Sequence, residues 1–183
     1  MRIWDILLQL KRRIIKSVLS PVSYARYLGV TVGDNNLMQK NHWSTEPYLI
    51  TIGSNCQLTN CRIHTHGGGN VIRHKYPLYD SFGKVVIGDW VYIGTNAQIM
   101  PGVTIGNNVL VAAGSIVTKS IPSGFVVAGN PAKIIGTTDD YIKRNINWDV
   151  GSKGYNAQQK KHYLLSLPEE KFMIRPFLEY PKE

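Results

Sequence analysis

Three histidines, His64, His66 and His74, crowd one short stretch of the chain. It is the polar, glycine-rich and aromatic run HTHGGGNVIRHKYPLYDSFG over residues 64–83. Imidazole is the usual general base near neutral pH, because its own pKa lies close to that range. The triple glycine Gly67-Gly68-Gly69 lets a ligand or another backbone come close to His66. No serine or cysteine stands in a nucleophile-elbow context, so direct attack by a base-activated acceptor suits the stretch better than a covalent intermediate. A metal is the competing use. His64 and His66 alternate as on a strand and would face one side, with His42 and His74 available as further ligands. Residues 85–135 hold no histidine, and a metal shared between neighbouring turns of chain would want one there. No metal is expected. A second cluster is Lys119 and Lys133, which bracket Gly129-Asn130-Pro131. They suit phosphate groups as point charges, or are ordinary solvated lysines.

The element that must position these groups is VVIGDWVYIGTNAQIMPGVTIGNNVLVAAGSIVTKSI, residues 85–121. Every sixth residue gives Ile87, Ile93, Ile99, Ile105, Val111 and Val117, and the residue after each is mostly small. Four places after each stand Val91, Ala97, Val103, Val109, Ser115 and Ile121, small or β-branched. A helix repeats its apolar residues at three or four and a long strand at two. A period of six with glycine at a fixed phase means short strands that end in tight turns. Stacked coils of such strands form a β-helix. The pattern restarts at Ile52-Gly53 and is lost after Leu58. Ile52 to Ile87 is one residue short of a multiple of six, which implies that the chain leaves the coil between them. A loop this long in a compact domain is usually functional.

The rest of the chain frames that core. The 183 residues, 43% hydrophobic and 18% charged, predict one domain with extensions. The net charge of +9 admits nucleic acid, a membrane surface or an anionic small molecule as partner. No zinc-finger spacing, helix-turn-helix pattern or RNA-binding aromatic motif supports nucleic acid. Cys56 and Cys61 are too few for a disulfide framework, and Cys56 falls where the hexad wants a small buried residue. Residues 3–19 read as a helix with Ile3, Leu7, Leu10, Ile14 and Val18 on one face and basic residues between. Lys11, Arg12, Arg13 and Lys16 interrupt it, against both a signal peptide and a spanning helix, so a cytoplasmic location is expected. The helix would dock on its own domain or lie on an anionic membrane surface. A second short helix is predicted from Val22 to Leu28, stopped by Gly29. Further helices are predicted from Asp139 to Asn145 and from Ala157 to Leu167, followed by a peripheral tail. The expected division is residues 1–29, a β-helix over 30–136 with its loop at 64–84, and a helical extension over 137–183.

The hexads, with TIGNNVLVAAGSIVTKSIP and VVAGNPAKII, resemble the hexapeptide-repeat acyltransferases of the maltose, galactoside and xenobiotic acetyltransferase type. STEPYLITIG, THGGG and FGKVVIGDWVYIG look most like the sugar O-acetyltransferases of bacterial surface-polysaccharide pathways. The likeness covers Gly29 to Asn145. It implies an all-β fold, a left-handed parallel β-helix with N-terminal and C-terminal helical extensions, assembled as a homotrimer with active sites between subunits. It further implies acetyl-CoA as co-substrate and a sugar, or a nucleotide- or lipid-linked sugar, as acceptor. His66 matches the catalytic histidine. Thr95 and Ala113 match positions whose backbone contacts the pantetheine arm, and Tyr92 the aromatic position against the acetyl end. Lys119 and Lys133 match phosphate-contacting positions, and Asn130-Pro131 the turn beside the adenine. Glu46 matches an acceptor-contacting acid, with His64 and His74 as further acceptor contacts. Two departures stand out. Gly67 replaces the aspartate that commonly follows the histidine, leaving a backbone carbonyl or Glu46 to orient His66. Gly136 replaces an arginine that some relatives use near the phosphates. Acetyl transfer to an amine and a non-catalytic scaffold remain as alternatives.

Overall fold

The hexads fold as short strands of two or three residues, because each buried aliphatic is followed by a corner that ends the pairing. The computed structural model describes residues 14–179. Strands stack in parallel into three faces. The first holds Thr31–Val32, Ile50–Ile52, Val85–Ile87 and Thr104–Ile105. The second holds Leu37–Gln39, Gln57–Thr59, Tyr92–Ile93, Leu110–Val111 and Phe125–Gly129. The third holds His42–Trp43, Arg62–Ile63, Gln98–Ile99 and Ile116–Val117. The antiparallel strand Ala132–Thr137 closes the second face by pairing with Phe125–Gly129.

Both phases of the repeat are buried. Ile87, Ile93, Ile99, Ile105, Val111 and Val117 are at most 1% exposed, as are Val91, Ala97, Val109 and Ser115. The small residues next in sequence serve close stacking: a Cβ on Gly94 would stand 2.6 Å from the Ala113 nitrogen one coil above. Corners demand left-handed backbone, met by Asn35, Asn55, Asn60, Asn96 and Asn108, whose short polar side chains tolerate it. A ladder of side chains then ties coil to coil at the first corner. Ser54 N–H donates to Asp89 Oδ1 at 2.7 Å, Asp89 N–H to Asn107 Oδ1 at 2.8 Å, and Asn107 N–H to Ser123 Oγ at 2.9 Å.

The break in phase has a different source from the excursion. Met38 to Trp43 and Leu58 to Ile63 are five-residue steps, around Lys40 and Asn60 with φ of 49° and 46°. The return from Ile63 to Ile87 is a whole number of hexads. The lost residue therefore lies at the Asn60 corner, where Cys61, fully buried, follows Leu58 after three places rather than four. Burial holds the Cys61 thiol up at about 12, and Cys56, also buried, is raised by the same cause. Both behave as small apolar core residues.

The excursion leaves the coil at Thr65 and returns at Gly83, whose N–H donates to the Thr65 carbonyl at 2.7 Å. It carries its own short helix, Gly69–Arg73. The first coil is covered by the helix Pro21–Leu28, capped by the Ser20 hydroxyl and stopped by Gly29 at φ 106°. Its Ala25 is fully buried in the core. The helix predicted over residues 3–19 lies mostly outside the described residues; residues 14–18 are helical.

The chain divides into two compact units between Asp139 and Asp140. The helix Thr138–Asn145 starts one residue earlier than expected. In the second unit Ala157–Ser166 begins with a reciprocal cap between Asn156 and Gln159. Residues 168–179 are exposed and include one turn of 3-10 helix at Glu169–Lys171. Among the described residues no helix is long and apolar enough to cross a membrane.

Candidate active site

His66 stands just past the corner between the third and first faces, where the chain enters its excursion. One coil below, at the same corner, stands Glu46, whose Oε2 is 2.7 Å from His66 Nδ1. The two are 20 residues apart, the same spacing that pairs Trp43 with Ile63 in the third face. Three hydroxyls fix the carboxylate: Thr45 donates to Oε1 at 2.6 Å, and Thr65 and Ser44 donate to Oε2 at 2.8 and 3.3 Å. These hydrogen bonds push the Glu46 carboxyl down to about 2. Thr45 contributes most, Thr65 and His66 add to it, and partial desolvation opposes them. Glu46 is therefore an anion at any working pH.

An anionic acceptor at Nδ1 assigns the ring proton to that nitrogen and leaves the Nε2 lone pair for a substrate proton. Phe82, returning from the excursion, meets the ring edge-on with centroids 5.7 Å apart. The arrangement is an imidazole oriented by a carboxylate, a geometry that can serve a base, the logic of an acid–histidine pair. A cavity of about 240 Å³ opens on it, lined by the three glycines, Asn70, Arg73 and Asp80. A Cβ on Gly67 or Gly68 would meet nothing within 4 Å, and Gly68 has φ 71°, so the glycine run keeps this approach open. Arg73 latches the loop through Asp80 Oδ1 at 3.0 Å and the Tyr79 carbonyl at 2.9 Å.

The other candidate residues fall elsewhere. His64 does not face the same partner as His66: its Nε2 meets Gln98 Oε1 at 3.2 Å, one coil above. His74 caps the loop helix and is exposed, away from the cavity lining. Among the described residues no three His, Cys, Asp or Glu side chains are placed to hold a metal ion. Thr95 and Ala113 are exposed on the corner between the second and third faces, joined where the Gly114 N–H donates to the Thr95 carbonyl at 2.8 Å. Gly129 N–H reaches Ser115 Oγ at 3.2 Å, which brings the Asn130-Pro131 turn to that corner. Lys133, paired with Ala128 in the hairpin, extends the same edge. The fit for a thin pantetheine arm is good there: small residues, exposed backbone and a cation beyond. Tyr92, 37% exposed, lies on the adjoining second face. Lys119 lies instead on the third-to-first corner, two coils above His66. One chain thus puts His66 on one edge of the prism and the small-residue groove on another.

Sequence reasoning missed Ser44, Thr45, Thr65 and Phe82. The hydroxyl clamp had a signal, since Thr45 and Thr65 are also one 20-residue coil apart.

Comparison with known proteins identifies the family. Residues 84–119 match the family model described as bacterial transferase hexapeptide (six repeats). The chain is 42% identical over 146 residues to Protein CapG of Staphylococcus aureus, covering 77% of this chain and 85% of CapG. It is 35% identical over 126 residues to the galactoside O-acetyltransferase of Escherichia coli K12, covering 67% and 61% of the two chains. A shorter match, 53% over 58 residues, joins it to a tetrahydropyridine-dicarboxylate N-acetyltransferase of Clostridium perfringens, 32% of this chain and 25% of that one. Among solved structures, a galactoside acetyltransferase in complex with coenzyme A superposes with TM-score 0.56 at 27% identity, over 75% and 82% of the chains. The chain belongs to the hexapeptide-repeat acetyltransferases, and its three parallel faces are the left-handed β-helix those relatives imply.

Proposed function

We propose that this chain is an acetyl-CoA-dependent O-acetyltransferase acting on a sugar hydroxyl in surface-polysaccharide synthesis, with His66 as general base. The observation that carries the reading is the 2.7 Å contact of His66 Nδ1 with an anionic, hydroxyl-clamped Glu46. His66 Nε2 takes the hydroxyl proton as the acceptor oxygen attacks the thioester carbonyl carbon. It then returns that proton to the departing thiolate, so no net proton is gained or lost. Glu46 stabilises the imidazolium between these steps; of its two expected roles, acceptor contact and orienting partner of His66, it takes the second. The Thr95–Ala113 edge holds the pantetheine arm and supplies a backbone N–H to the developing oxyanion. Lys133 and Lys119 meet the phosphates, and Asn130-Pro131 the adenine. Because base and groove lie on different edges, the working assembly is a homotrimer in which each site is shared by two neighbours. The location is the cytoplasm, with the basic stretch 1–19 against the membrane's inner face.

The test is His66→Ala. It should lower acetyl transfer at least ~100-fold, the scale of a general base, with the oligomer intact. Retained activity in the folded oligomer refutes the reading. The N-acetyltransferase relative favours a second one, in which the same base serves an amine. A panel of hydroxyl and amino acceptors separates the two.

A further inference from the structure

Ser44 and Thr45, which hold Glu46, also line a second space. It is a cleft of about 520 Å³ whose walls include the rings of Tyr24, Trp43 and Tyr48. A smaller cavity of about 160 Å³ shares Lys16, Tyr24 and Trp43 with it and adds Lys40. Among the described residues no acidic side chain lines either space. Lys16 Nζ lies 6.0 Å from the Tyr24 ring centroid, so the cation and the aromatic wall belong to one surface. Asn41, shared by both, is a fixed wall: its amide donates to the Leu58 carbonyl at 3.2 Å and accepts from Cys61 N–H at 3.1 Å. The reaction leaves this space unexplained, because the base opens on the loop cavity and the pantetheine groove lies on another edge.

From this juxtaposition we infer that the cleft is an acceptor subsite for a glycosyl phosphate. A sugar ring stacks by its apolar face on the aromatic wall, its phosphate meets Lys16 and Lys40, and the ring to be acetylated reaches His66 past Ser44 and Thr45. Aromatic walls with a few convergent polar groups are the usual make-up of a small-molecule site. Among the described residues neither lysine has an ion-pair partner, and two compact point charges suit the two negative charges of a phosphate monoester or a diphosphate. The phosphate can belong to a nucleotide or to a lipid carrier. The inference rests on the proposed sugar acetylation, since it assigns where the remainder of that acceptor lies.

Calorimetric titration of the full-length oligomer with glucose 1-phosphate, methyl glucoside, methyl glucuronide and UDP-glucose tests it. Glucose 1-phosphate should bind more tightly than either methyl glycoside. The double variant Lys16→Ala/Lys40→Ala should weaken it by at least about 10-fold, the scale of one charge-assisted contact, leaving the methyl glucoside unchanged. Tyr48→Ala, at a ring that is 69% exposed and so free of the core, should weaken every sugar that binds. The KM for acetyl-CoA should not move in either variant. Tighter binding of UDP-glucose than of glucose 1-phosphate identifies a nucleotide source, and its exclusion identifies a lipid carrier. Absence of glucose 1-phosphate binding, equal binding of the glucuronide, or indifference to the two lysines overturns the subsite. Loss of activity in His66→Ala alongside such indifference would refute the subsite and leave the base in place.

Discussion

The dyad depends on a charge held in place by neutral hydroxyls. Glu46→Gln keeps the shape and removes the charge that steadies the imidazolium. It should lower kcat at least ~10-fold with the KM for acetyl-CoA unchanged. The same group makes a prediction for stability. A carboxyl lowered from its ordinary 4.5 to about 2 favours the folded state above pH 4.5, and that contribution is lost as pH falls through about 2. The melting-temperature gap between wild type and Glu46→Gln should therefore be level above pH 4.5 and close toward pH 2. A gap that widens on acidification would contradict the lowered value. The glutamate was legible as an acceptor contact or, beside a backbone carbonyl, as the group that orients His66; the choice between these was not. Its partner lies a whole coil away, and Gly67 gives no local hint of what orients His66.

At the scale of corners and strands, Trp90 breaks the local rule at its corner, as Lys40 does at another. Asn55, Trp90 and Asn108 occupy the same corner of successive coils with φ of 60°, 58° and 53°, and only Trp90 carries a bulky side chain there. It is 64% exposed, so little packing offsets the strain. Trp90→Asn should stabilise the protein by about 1 kcal/mol, the order of the left-handed penalty for an ordinary residue, read as a rise in melting temperature. No rise would show that the indole makes a compensating contact. The hexads made these faces readable from residue 85 onward, because each step repeats the same burial. The earlier coils were harder to read. A two-residue corner at Asn60 shifts the apolar spacing from four to three, which simple counting assigned to the excursion instead. The short helix Gly69–Arg73 was also invisible, since two glycines precede it and no apolar period marks it.

For the whole molecule the separation of base and groove decides what assembly must do. On the proposed reading His66→Ala lacks the base and Ala113→Trp blocks the pantetheine edge, so each alone should be inactive. Refolded together, they should form mixed oligomers that recover roughly a quarter of the sites, as random mixing at a shared heterologous interface requires. Acetyl transfer by the mixture, absent from both parents, is the readout. No recovery would place base and groove in one chain. The trimer was an implication of resemblance and never of the hexads, which describe only how a chain stacks on itself. Local periodicity carries no information about a neighbour.

The excursion's two ends meet in one hydrogen bond, Gly83 N–H to Thr65 O, while the coils on either side keep their register. That neck makes the segment between them an insertion the scaffold does not feel. Lengthening a loop whose ends are already together costs only about 0.6 kcal/mol per doubling. Recognition can thus diversify by exchanging residues 67–81 as a cassette, with His66, Glu46 and the hydroxyl clamp left behind in the frame that receives it.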